Sequence, residues 1–297
     1  MLASAPGSNA CGWGLAGERR GARMSQSEGP KANRFPLPLK RLAGEVTTSG
    51  PRQLLRPQRL LRDVARDGVR SSAPTGIGLD SEWVRLRMID RLRTERVCGE
   101  RVLVAMASVP RHRFIDSALA AQAYEDTSLP IGHGQTISKP SVVARMLGLL
   151  CDGQLARRDG HLGRTLEIGS GCGYQAALLA ELSTDVVSIE RLGALHARAL
   201  ATLAQLNVKR VRLVHGDGMD GVAAFAPYHS IVAAAGGESM PPAWLAQLAR
   251  GGRLVAPMHR DGSLTQVIMV VDKSLDGHLR EQVYDGVMFV PLKSGTL

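Results

Sequence analysis

The sequence predicts an α/β fold: a mainly parallel sheet covered by helices on both faces, with an antiparallel edge and added helices at its N-terminal side. Three observations predict it. From Arg164 onward, short apolar runs alternate with longer Ala- and Leu-rich stretches of helical period. A glycine-rich turn joins the first of these runs to the helix after it. The last two apolar runs have no helical stretch between them, the pattern of an antiparallel hairpin.

Residues 1 to 80 are rich in Gly, Pro, Ser and Arg and show little periodicity. Such a segment buries too little apolar area to offset the entropy of ordering, so a disordered extension is expected there. Order is expected from Ser81, a candidate N-cap, with Trp83, Leu86, Ile89 and Leu92 at helical spacing. A second helix follows from Gly99, with Val102, Leu103 and Met106 on one face, and ends before Pro110. An irregular run from Tyr124 to Ser138 precedes a helix over 140–150. The alternating part then reads strand 165–168, helix 174–182, strand 186–189, helix 192–206, and strands 211–214 and 230–233. Helix 242–249, strand 253–256 and two closing strands, 265–271 and 287–291, complete the chain.

The 297 residues carry a net charge of +10, placed unevenly. Residues 1 to 80 hold thirteen Lys and Arg against six Asp and Glu, leaving only +3 for the rest. The basic balance belongs to the extension and gives no argument that the folded part binds nucleic acid. Within the extension, leucines 54, 55, 60 and 61 among arginines suit a transient basic helix. No apolar run approaches the roughly 20 residues that cross a bilayer, so no membrane partner is expected. Cys11, Cys98, Cys151 and Cys172 form no CxxC pair and the eight histidines no ligand spacing. That predicts reduced thiols, a cytoplasmic protein and no metal site.

The loop Glu167–Gly173 lies between the first strand and its helix, where doubly wound sheets bind ligands. Glu190, ending the second strand, stands 21 positions after Gly169, the place of a carboxylate that accepts both ribose hydroxyls of an adenosine. Gly169, Gly171 and Gly173 make G-x-G-x-G, with Tyr174 in the slot that a dinucleotide fingerprint gives to its last glycine. Glu167 would repel a pyrophosphate but suits a cationic sulfonium or amino group. Asp217, after the third strand, is placed to accept from an adenine amino group, with Gly218 beside it. Together these favour S-adenosylmethionine over a nicotinamide cofactor. Taken singly, each is also ordinary turn chemistry.

The residues then resemble the protein-L-isoaspartate O-methyltransferase family over about Arg85 to Leu292. The resemblance runs through Val109-Pro110-Arg111 with Phe114, Leu129–Ser138, Leu166–Ala176, Ser188–Glu190, His215–Gly218, Gly251–Val255 and Phe289–Leu292. The segment Pro130–Ser138 is its most specific part. It implies a Rossmann-like class I methyltransferase with a seven-stranded sheet. Residues 81–155 would form an N-terminal helical and substrate-loop part, and 156–297 the cofactor-binding core. It implies that Ser138 is catalytic, that Ile131, Gly132, His133 and Gly134 line the cofactor and substrate cleft beside Gly169, Ser170 and Gly171, and that Thr136 and Ala234 meet the substrate. The implied reaction methylates the free carboxylate of L-isoaspartyl residues, with D-aspartyl residues as a second acceptor, in a damaged protein. The ester then closes to a succinimide. A monomer is expected. Two departures stand out: His229 replaces the family's usual aspartate, and Ala233–Gly237 replaces a Thr/Gly-Ala-Ala segment.

A carboxylate with a pKa near ~4 is already a nucleophile at pH 7, so positioning is the main task. Ser138 is accordingly assigned a hydrogen bond to the substrate carboxylate, not a covalent role. Its second reading is the N-cap of the helix that starts at Pro140. Two rivals keep the same residues: methyl transfer to RNA or a small molecule, and a binding module acting through the basic extension. The first lacks an Asn/Asp-Pro-Pro-Tyr motif, and the second lacks aromatics between its arginines.

Overall fold

The computed structural model describes residues 82–259 and 265–297. The expected extension and the Ser81 cap lie outside these residues. Two helices come first, α1 (Glu82–Thr94) and α2 (Glu100–Ser108). They bury Ile89, Leu92, Val102, Leu103 and Met106 in one core, as expected, but Met88 is buried with them while Trp83 and Leu86, expected on the same face, are exposed.

The run expected to be irregular contains a hairpin, β1 (Leu129–Gly132) and β2 (Gln135–Ile137). Its turn is His133-Gly134, both at positive φ (53° and 68°). Two-residue hairpin turns favour that conformation, and a histidine there obscures the signal. Helix α3 (Pro140–Cys151) follows, and a short α4 (Gln154–Asp159) that the sequence reading does not anticipate. Gly160, in the left-handed region at φ 74°, ends α4.

The sheet has the order β5-β4-β3-β6-β7-β8-β9. Strands β3 (Arg164–Ile168), β4 (Asp185–Glu190), β5 (Val211–His215), β6 (Tyr228–Ala233) and β7 (Leu248–His259) run parallel. Strands β8 (Gln266–Lys273) and β9 (Leu279–Val287) complete the sheet antiparallel. Helices α5 (Tyr174–Leu182), α6 (Gly193–Gln205) and α7 (Pro242–Gln247) make the crossovers. Leu166, Ile168, Val187, Ile189, Ile231 and Ala233 form one core with Trp244 of α7. Val186, Val232 and Val255 join the opposite core with α1, α2, α3 and α5. Alternation along buried strands produces both layers.

Two boundaries are corrected. The final strand is β9, ending at Val287, and 287–291 is not a strand of the sheet. Arg280, Glu281 and Asp285 dilute the apolar pattern of β9, which is an edge and needs little burial. Residues 289–292 instead run beside the loop after β6 through a bridge between Gly236 and Pro291. Helix α7 stops at Gln247, because Leu248 already pairs with Tyr228.

His229 lies at the N-terminal end of β6, where its Nδ1 accepts the Arg164 N–H at 3.2 Å. The glycine loop and Ala234 are at the opposite ends of these strands, roughly 15 Å away at strand rise. The exchange of aspartate for histidine therefore concerns the sheet edge and not the chemistry. Gly163 faces the ring at φ +66°, and a Cβ there would stand 2.7 Å from His229 Cγ. Gly163→Ala is expected to destabilise the chain by about 1–3 kcal/mol in denaturant melts. His229→Asp should leave turnover unchanged in the same preparation.

Candidate functional site

At the C-terminal edge of the parallel strands is a cavity of about 240 Å³. Its floor is the turn between β3 and α5, where Gly169, Gly171 and Gly173 have φ of 88°, 54° and 89°. Side chains disfavour that region, so the loop curls tightly only because these positions are glycine. Gly169 N–H donates to the Ile189 carbonyl at 2.8 Å, and Gly171 N–H to Glu190 Oε2 at 2.9 Å. Glu190 Oε1 accepts the Leu192 N–H at 3.0 Å. The carboxylate thus fixes the loop, faces the cavity, and keeps spare lone pairs on both oxygens.

Glu167 lies beneath the loop, fully buried and outside the cavity lining. Ser188 Oγ donates to its Oε2, and the Gln175 side chain lies beside the same carboxyl. Burial pushes this carboxyl up to about 8, against hydrogen bonds from Ser188 and Gln175 that lower it, while repulsion from Glu190 adds to the rise. Ser170, in the lining, shares a hydrogen bond with Ser188 and so joins the same buried file. Burial also raises the Cys172 thiol, which keeps it protonated and removes it as a nucleophile.

The opposite wall is the β1–β2 hairpin. Ile131, His133, Thr136 and Ser138 line the cavity, whereas Gly132 and Gly134 shape the turn behind it. The cap of α3 is not Ser138. Pro140 has no N–H, and the Ser141 N–H and hydroxyl are taken by Asp126 at 2.8 and 2.7 Å. The N-cap position is Lys139, without a side-chain bond. This overturns the capping reading: an upstream carboxylate does that work, and no partner for the Ser138 hydroxyl occurs among the described residues.

Gly218 and Ala234 line the cavity; Asp217 does not. Its oxygens accept the Met219 and Gly295 N–H groups, so it braces the turn after β5 and the C-terminal segment. Arg198 of α6 is a further element of the site. Its Nη1 donates to the Ile131 carbonyl at 2.8 Å, holding the hairpin over the glycine loop. Val290–Lys293 also contribute to the lining. Phe289–Leu292 carries part of the family resemblance, but nothing in its spacing brings it to the cleft. Among the described residues no group of three His, Cys, Asp or Glu could hold a metal, and no helix is long and apolar enough to cross a membrane.

The sequence profile of the protein-L-isoaspartate(D-aspartate) O-methyltransferase family matches residues 84–297. A protein-L-isoaspartate O-methyltransferase of Leptothrix cholodnii is 54% identical over 282 residues, 92% of this chain and 98% of the relative. One of Methylibium petroleiphilum is 56% identical over 273 residues, 92% and 100% of the two chains. A solved protein-L-isoaspartate O-methyltransferase superposes with a TM-score of 0.63 at 27% identity, covering 71% of this chain and 66% of that one. The fold also matches a Plasmodium falciparum structure described as a putative enzyme of this kind in complex with S-adenosyl-L-homocysteine, with a TM-score of 0.59, 23% identity and coverage of 70% and 98%. A profile spanning the described residues, with relatives more than half identical over almost their whole length, places this chain in the protein-L-isoaspartate(D-aspartate) O-methyltransferase family.

Proposed function

We propose that this chain transfers a methyl group from S-adenosylmethionine to the free carboxylate of L-isoaspartyl residues in damaged proteins, and of D-aspartyl residues as a second acceptor. The observation that carries this reading is Ser138, which lines the cavity that the glycine loop floors and whose hydroxyl has no partner among the described residues. The cavity fits the methyl donor. Gly169, Ser170, Gly171 and Gly218 form a close backbone cradle, and Glu190 presents a carboxylate to a ribose.

Bound S-adenosylmethionine supplies an activated methyl group. The chain's own task is to place and desolvate the acceptor. Ser138 donates to one carboxylate oxygen and leaves the other free to attack. Thr136 and Ala234 flank the acceptor, and Ile131 and His133 bound the cleft on the hairpin side. Lys293, at the rim of the lining, adds a positive charge that favours an anionic acceptor. Orientation of this kind supplies roughly 7–11 kcal/mol of barrier reduction, enough without an added base. Residues 81–155 are the helical and substrate-loop part of one domain and 156–297 its cofactor-binding core, which also lends Ala234 to the acceptor side. The enzyme works as a monomer in the cytoplasm.

Paired peptides that differ only in Asp or isoAsp linkage test this reading. Base-labile label from S-[methyl-³H]adenosylmethionine should enter the isoAsp peptide alone. Equal labelling of both peptides, or of RNA instead, would overturn it.

A further inference from the structure

Gln266 opens β8 and is buried between His259 of β7 and Val287 of β9. Its side chain leaves the ladder and pairs with one residue in both directions. Oε1 accepts the Phe289 N–H at 2.7 Å, and Nε2 donates to the Phe289 carbonyl at 3.3 Å. The second amide hydrogen is left for His259 Nε2, 3.4 Å away. A primary amide can donate and accept at once without titrating.

The same amide lies flat on Gly236, where a Cβ would come within 2.3 Å of Nε2. Gly236 in turn donates to the Val290 carbonyl and accepts from the Leu292 N–H, both at 2.8 Å. One side chain therefore fixes the spacing between the loop after β6 and the segment Phe289–Leu292. Their cavity-side residues, Ala234, Ala235, Val290, Pro291 and Leu292, form one wall of the cleft, and Gln266 itself is outside the lining. In the strand order β4-β3-β6 the loop after β6, with Ala234 and Ala235, is on the far side of β3 from Glu190, while Leu292 reaches across to Gly218 after β5. The Ala234–Ala235 part of the wall belongs to the acceptor half.

We propose that Gln266 is a positioning residue for methyl transfer, setting the wall against which the acceptor carboxylate is held. This rests on the reading given above, that the acceptor is an isoaspartyl carboxylate. Displacement of a wall by about an ångström can cost on the order of a hundredfold in rate with little change elsewhere. Gln266→Leu keeps the volume and loses the two hydrogen bonds to Phe289 together with the contact to His259. Gln266→Glu keeps the acceptor and loses the donor. Gly236→Ala pushes the amide away from the other side.

The test uses the full chain, an isoAsp peptide, and calorimetric titration with S-adenosylhomocysteine. The expected result is a fall of about tenfold or more in kcat/KM for Gln266→Leu, a smaller fall for Gln266→Glu, and a dissociation constant for S-adenosylhomocysteine within about threefold of the parent. Gly236→Ala should lose a similar factor, and its combination with Gln266→Ala should lose no more than either change alone. Unchanged kcat/KM in Gln266→Leu, or additive losses in the combined variant, would overturn the proposal. So would parallel loss of cofactor-product binding and melting temperature. If Gln266→Leu does not fold, Gln266→Glu and Gly236→Ala decide by the same criteria. A parent chain that leaves the isoAsp peptide unlabelled would instead count against the assigned acceptor.

Discussion

Replacing Ser138 with alanine is expected to lower kcat on an isoAsp peptide by about a hundredfold, the usual cost of one oriented donor in a closed site. Binding of S-adenosylhomocysteine and the melting temperature should remain near parental values. The reason is the division of labour at the start of α3. Asp126 holds the Ser141 N–H and hydroxyl, and Pro140 needs no partner, so the helix does not depend on Ser138. Single-turnover rates with titration calorimetry check this directly. A loss of helix stability together with activity would return Ser138 to a structural role. Asp126→Ala supplies the contrast: it should lower the melting temperature by the equivalent of about 1 kcal/mol, the usual cost of a lost cap.

A second large effect concerns Glu167. Its carboxyl titrates at about 8 in the folded chain against an ordinary value of 4.5. Between these two values the folded state holds a proton that the unfolded chain has released. Stability therefore falls as pH rises through that window, by about 1.4 kcal/mol per unit from this group. Below 4.5 the contribution is fully present; above 8 it is gone. Glu167→Gln cannot titrate and should remove this slope, so that the variant gains on the parent by a few kcal/mol toward pH 8. Urea melts of both chains from pH 5 to pH 8.5 measure the difference. Parallel profiles would show that the carboxyl ionises normally under the loop.

The parallel core was legible because its strands are short apolar runs, such as Leu166–Ile168 and Val186–Ile189, and its helices are rich in Ala and Leu. Strand β9 was not, since an edge strand with Arg280, Glu281 and Asp285 shows no burial pattern to read. The hairpin β1–β2 was hidden by Pro130 and by a histidine in the turn, although its residues were the most specific part of the family resemblance. Within the site, the loop glycines and Glu190 follow from their spacing along β3 and β4. Asp217 and Glu167 share that spacing, yet the fold turns the first toward Gly295 and buries the second below the loop. Arg198 and Gln266 were illegible for a different reason. Each acts on a partner brought close only by tertiary packing: Ile131 lies 67 residues from Arg198, and Phe289 lies 23 from Gln266 across an edge strand.

Ile131 belongs to both halves of the cleft. Its carbonyl is clasped by Arg198 from the helix that follows Glu190, and its Cδ1 is in contact range of Gly171, where an added Cβ would be 3.2 Å away. One residue thus couples the hairpin to the glycine loop on one side and to α6 on the other. A change that displaces the hairpin is therefore felt at Gly171 as well, and the two walls of the cleft are mechanically one piece.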